Sequence, residues 1–123
     1  MRVLLVDDNI RLRQEVAELL SNEADIQIVG EASNGQQAVE LTRQRLPDIV
    51  LMDLSMPVMN GLAATQAICT QFPGVRVIGL SMYEDEAEGR MMRKAGAAGY
   101  VSKSSKSDFV TSVIAAIRAP AIP

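Results

Sequence analysis

Short apolar runs alternate with amphipathic stretches along the whole chain, regularly enough to be read as successive elements. Val3 to Val6 contains only Val and Leu, is too short for a helix and meets polar residues at once, so it predicts a strand. From Arg11 to Ser21 the apolar positions Leu12, Val16, Leu19 and Leu20 recur at helical spacing. Ile26 to Gly30 reads as a second strand. Gly35 to Leu46 reads as a second helix, with Ala38, Val39, Leu41 and Leu46 as its apolar positions and Pro47 ending it. The pattern then repeats. Asp48 to Asp53 predicts strand three, and Gly61 to Phe72 predicts helix three, with Asn60 placed to cap it. After the Pro73-Gly74 turn signal come strand four over Val75 to Ser81 and helix four over Glu84 to Ala95, closed by Gly96. Gly99 to Ser102 is a short fifth strand. Ser107 to Arg118 is a fifth helix, with Phe109, Val110, Val113, Ile114 and Ile117 on one side.

Strands alternating with helices imply right-handed crossovers and a parallel sheet covered on both faces. The nearly unbroken apolar character of strands one, three and four agrees, because such strands are buried on both sides. The chain is therefore expected to be an α/β domain over residues 1–118. The closing Ala-Pro-Ala-Ile-Pro, residues 119–123, cannot continue a helix and reads as the start of a linker.

Composition narrows the chemistry more by what is missing. The 123 residues fit one domain, with 48% hydrophobic and 22% charged residues, as in an ordinary globular protein. A net charge of −3 argues against a nucleic-acid or membrane surface within this chain. With no histidine, a Ser-His-Asp triad, a His-based zinc site and an imidazole general base are excluded. The single Cys69 cannot form an internal disulfide, and its apolar helical setting points to a core thiol. The apolar run in MRVLLVDDN is too short for a signal peptide, and no stretch is long enough to span a membrane. The expected location is cytoplasmic.

In open parallel sheets, ligands bind beyond the carboxyl ends of the strands, where strand order reverses. Strand one ends in Asp7-Asp8, strand three in Asp53, strand four in Ser81, and strand five leads through Ser102 into Lys103. Three carboxylates, a hydroxyl and an ammonium are thus expected at one edge. Neighbouring carboxylates repel one another unless something positive neutralises them, and a hard divalent cation such as Mg²⁺ does so. Such a cation, with Lys103, would also screen the oxygens of a phosphoryl group attacked in line by an aspartate. Each residue has a blander explanation by itself. Asp7 or Asp8 can cap the first helix, Ser81 can be a turn hydroxyl, Lys103 a solvated charge, and Asp53 a turn former beside Ser55 and Pro57. The combination at successive strand ends favours the functional reading.

The blocks VLLVDDN, DIVLMDLSMPVMNG, VIGLSM and AGAAGYVSK, in this order, make the whole chain similar to a bacterial response-regulator receiver domain. MDLSMPVMNGLAAT and LSMYEDE resemble the NarL/FixJ-type subfamily. The resemblance implies a flavodoxin-like five-stranded parallel sheet of order 2-1-3-4-5. It implies that Asp53 is the aspartate phosphorylated by a sensor histidine kinase. Mg²⁺ would be bound by Asp8, by Asp7 directly or through water, by Asp53 and by the backbone carbonyl of Ser55. Ser81 and Lys103 would be the switch hydroxyl and the phosphate-binding lysine, and Tyr100 the aromatic switch, with a ring simply packed on helix four as the structural alternative. The output would be altered partner or dimer contacts, through helices one and five or the face formed by helix four, strand five and helix five. Some of Ala115, Ala116 and Ile117 would be left partly exposed on helix five. The subfamily usually carries a C-terminal helix-turn-helix DNA-binding domain, so a longer protein is expected, with a natural single-domain regulator as the alternative.

Two other classes compete. An Mg²⁺-dependent phosphatase of the haloacid-dehalogenase kind also uses an aspartate at a strand end, but needs a second Asp two positions on, where this chain has Ser55. A pseudo-receiver would bind partners without phosphorylation, yet Asp7, Asp8, Asp53, Ser81 and Lys103 are all present. The chain departs from many receivers at Ser104, where they have proline and where a cis peptide would cost about 2.5–4 kcal/mol. It departs also at Met82, which follows Ser81 where a smaller residue is common and would restrict access to the phosphoryl site. Ser55 and Tyr83 sit where attacking water is admitted or excluded.

Overall fold

In a computed structural model, residues 1–54, 60–81, 86–102 and 109–119 are described. The elements run β1 (Arg2–Val6), α1 (Ile10–Ser21), β2 (Gln27–Ala32), α2 (Gly35–Arg45), β3 (Ile49–Asp53), α3 (Gly61–Gln71), β4 (Arg76–Ser81), α4 (Glu86–Lys94), β5 (Gly99–Ser102) and α5 (Phe109–Arg118). All strands pair in parallel, in the order β2-β1-β3-β4-β5. This is the parallel α/β architecture expected from the sequence pattern, in the order 2-1-3-4-5 that the family resemblance implies.

The three inner strands are buried almost throughout, which explains their unbroken apolar runs, while β2 and β5 lie at the edges and are only partly covered. Alternation along the strands splits the core in two. On one face Val3, Leu5, Ile49, Leu51, Ile78 and Leu80 pack with Val16, Leu20, Val113 and Ile117 of α1 and α5. On the other, Leu4, Val6, Val50, Met52 and Val77 pack with Ala38, Ala64, Ile68 and Met92 of α2, α3 and α4.

The helices begin where short polar side chains supply a hydrogen-bond acceptor. Asn9, Asn34 and Asn60 each take the N-cap position and accept from the backbone N–H three residues on. Two apolar positions assigned to helices by spacing are not core. Leu46 is 59% exposed and left-handed, capping α2 after Arg45, and Leu19 is 46% exposed on α1. Pro47 disfavours helical backbone at the residue before it, so Leu46 cannot continue the helix. Gly96, at φ +107°, closes the turn after α4, and a β-carbon there would lie 2.8 Å from Cys69 Cβ. Cys69 itself is half-buried. Among the described residues no peptide bond is cis; the Lys103–Ser104 bond lies outside them.

Candidate functional site

Strand register brings the acidic residues together. Val6 pairs with Met52, so Asp7, just beyond β1, comes level with Asp53 at the end of β3. Asp53 in turn pairs with Leu80, one residue before Ser81. One carboxylate oxygen from each of Asp7, Asp8 and Asp53 lies within 4.8 Å of the others. Asp7 is 3% and Asp53 5% exposed, whereas Asp8 faces solvent. Two nearly buried carboxylates beside a third carry a large desolvation and repulsion cost unless a cation shares them. An all-oxygen acidic set open to water on one side suits a hard divalent ion that retains some of its waters. The donor set therefore fits such a metal.

The loops that hold these side chains are tied at several points. Asn9, not Asp7 or Asp8, caps α1, so the capping alternative for the two aspartates does not hold. Asp7 Oδ1 instead accepts a hydrogen bond from Asn9 N at 2.9 Å, and Asp7 N donates to the Ala32 carbonyl at 3.0 Å. On the β3 side, Leu54 N donates to the Leu80 carbonyl at 3.1 Å, fixing the backbone next to Asp53. The start of α3 sits directly on this backbone. A β-carbon on Gly61 would collide with the Asp53 carbonyl oxygen and come 2.7 Å from Leu54 Cα. Gly61 is thus part of what places Asp53. Sequence reasoning took it only as the first residue of a helix; the signal available was the Asn60-Gly61 pair a few residues after Asp53.

Ser81 is 4% exposed at the tip of β4, paired with Ser102 of β5, the residue before Lys103 in the sequence. Tyr100 is half-buried, opposite Gly79. Two glycines make room for its ring: a β-carbon would lie 3.5 Å from Tyr100 Cδ2 at Gly79 and 3.6 Å from Tyr100 Cδ1 at Gly89. The ring therefore rests against α4, as the structural alternative for this residue holds, and on the same sheet face as Ser81. Ser55, Met82, Tyr83, Lys103 and Ser104 lie outside the described residues.

In a doubly wound parallel sheet ligands bind at the carboxyl ends of the strands where strand order reverses, and here that edge carries the acidic cluster. Comparison with known proteins is specific about the family. The family model for the response regulator receiver domain matches residues 3–115. The chain is 37% identical over 116 residues to the transcriptional regulatory protein LiaR of Bacillus subtilis, covering 94% of this chain and 55% of that protein. It is 38% identical over 117 residues to the response regulator UvrY of Escherichia coli K12, covering 95% and 54% respectively. Among solved structures, a two-component response regulator of the LuxR family from Aurantimonas sp. SI85-9A1 matches with a TM-score of 0.87 at 34% identity, covering 94% of this chain and 83% of that one. The chain belongs to the response regulator receiver domain family. It spans about half the length of the curated relatives it matches.

Proposed function

We propose that this chain is a phosphorylation-controlled signalling module, residues 1–118, whose Asp53 accepts a phosphoryl group from a sensor histidine kinase. The observation that carries the reading is the convergence of the Asp7, Asp8 and Asp53 carboxylates at the end of the central strand. In the transfer, an Asp53 oxygen forms a bond to phosphorus as the bond from phosphorus to the kinase's histidine nitrogen breaks. Asp7, Asp8, Asp53 and the backbone carbonyl of Ser55 would hold Mg²⁺, which would neutralise charge on the phosphoryl oxygens. Ser81 then donates to a phosphoryl oxygen, and Lys103 supplies a second positive partner. Both contacts exist only in the phosphorylated state, so they bias the loops after β4 and β5 towards it. Tyr100, lodged between Gly79 and Gly89, couples that shift to α4.

The output is a changed set of partner or dimer contacts, not turnover of a metabolite, and the site of action is the cytoplasm. Residues 119–123 begin a linker, and DNA binding belongs to a C-terminal domain of the longer protein, as the half-length match to transcriptional regulators suggests. Leu19 on α1 and Ala115 on α5 are exposed small or apolar residues available to a homodimer through those helices, whereas Ile117 is fully buried.

The reading is tested with beryllofluoride and Mg²⁺, which together imitate an aspartyl phosphate. Amide shifts in a ¹⁵N spectrum should concentrate at Asp53, Leu54, Ser81 and Tyr100, and vanish in Asp53→Asn. Partner binding unchanged by Asp53→Ala, with no beryllofluoride response, would instead favour a phosphorylation-independent binding module.

A further inference from the structure

Among the described residues Arg13 meets the acidic pocket through the Asp7 backbone, and nothing in the phosphoryl chemistry assigns it a role. From the first turn of α1 its Nη1 donates to the Asp7 carbonyl at 2.7 Å. Its Nε donates to Glu31 Oε1 at 3.0 Å. One guanidinium therefore ties three elements together: α1, the loop after β1 that carries Asp7 and Asp8, and the end of β2. The Arg13 side chain is only 14% exposed, so Glu31 also provides the counter-charge that its burial requires.

The fold contains a feature that aims Glu31 at this arginine. In the β1–β2 ladder Val3 pairs with Ile28 but Leu4 pairs with Gly30, so one extra residue, Val29, is inserted into β2. Without it, Glu31 and Ile28 would face opposite sides of the sheet, because successive side chains alternate. With it, Glu31 pairs with Leu5 and shares the face on which Leu5 and Ile28 pack with α1. Ala32, paired with Val6, turns to the opposite core. The bulge thus delivers a carboxylate to α1 where regular alternation would have delivered it to α2.

We propose that Arg13, held by Glu31, is a positioning residue that sets the Asp7-Asp8 loop for cation binding. The inference rests on the reading of that loop as a divalent-metal site. Its sign is diagnostic. Arg13 is a positive charge near a cation site, so deleting it should by Coulomb's law alone tighten metal binding. Deleting a group that positions ligands should weaken binding, by about tenfold or more where such outer partners have been removed from other metal sites.

The experiment is calorimetric titration of the folded chain with Mg²⁺, comparing wild type, Arg13→Met and Arg13→Lys, with circular dichroism to establish folding at the working temperature. Arg13→Met should raise the Mg²⁺ Kd about tenfold. Arg13→Lys should raise it too, because an ammonium keeps the charge but loses the rigid fork that spans two acceptors; it also serves if Arg13→Met fails to fold. A tighter or unchanged Kd in these folded variants overturns the proposal, leaving Arg13 an electrostatic or purely structural residue. Absence of Mg²⁺ binding in the wild type would instead remove the metal-site reading on which it rests.

Discussion

At single residues, the site depends on positions where a small or polar side chain is forced by its neighbours. Gly61 is the clearest. Any β-carbon there meets the Asp53 carbonyl oxygen and the Leu54 backbone, so Gly61→Ala must push α3 away from the end of β3. The expected cost is about 1–3 kcal/mol in urea unfolding, as for other overpacked sites. The same variant should accept phosphoryl groups at Asp53 more slowly, and a stability unchanged by the substitution would contradict this packing. Cys69 illustrates the opposite case. Burial pushes its thiol up from an ordinary 9.0, so at neutral pH it stays protonated and should react with iodoacetamide more slowly than an exposed cysteine. Asp7, Asp53 and Ser81 could be picked from the sequence because they interrupt or end apolar runs. Arg13 could not, since what makes it matter is a contact with the Asp7 backbone across elements; for Gly61 the Asn-Gly pair signals a turn but not that the Asp53 backbone lies against it.

At the scale of elements, α5 is fastened at its C-terminal end. The Arg118 guanidinium donates to both Asp25 oxygens, at 2.9 and 2.7 Å, and to Glu23 at 2.9 Å. Arg76 from β4 donates to the Ile117 and Ala119 carbonyls, covering acceptors that the helix leaves open. Charge reversal at Arg118 would therefore break contacts within the chain, and exposed Leu19 or Ala115 is the better place to probe association. The hydrogen bond from Arg118 holds the Asp25 carboxyl below its ordinary 3.8. A lowered native pKa means the stabilisation is present above pH 3.8 and lost as pH falls through the native value. The pair is exposed, so its effect on global stability is small. NMR titration should place the Asp25 midpoint below 3.8 and return it towards 3.8 in Arg118→Gln. The order and type of these elements were legible because strands and helices have different apolar periods. Their ends were less so. Leu46 and Leu19 fit the helical spacing, yet one is itself the left-handed cap of α2 and the other lies on an uncovered face. The bulge at Val29 left no sign, since a single inserted residue changes which face a side chain takes without changing composition.

At the scale of the whole molecule, two apolar cores clamp a sheet whose carboxyl edge carries the acidic cluster. The middle of that sheet is closely packed: Leu51, two residues before Asp53, is fully buried. Leu51→Ala should cost about 2–5 kcal/mol in chemical denaturation, a large share of the roughly 5–15 kcal/mol that holds a domain of this kind together. A cost below that range would mean the core relaxes around the gap. That packed strand ends where the Asp7, Asp8 and Asp53 carboxylates lie within 4.8 Å of one another, in a chain whose residues 3–115 match the receiver-domain family model. The role of Asp53 as phosphoacceptor is tested by intact mass after incubation with acetyl phosphate. Wild-type protein with Mg²⁺ should gain a single phosphoryl group, and should gain none when EDTA removes the metal or when Asp53 is replaced by Asn. An adduct that persists in Asp53→Asn, or that forms equally well in EDTA, would contradict that role.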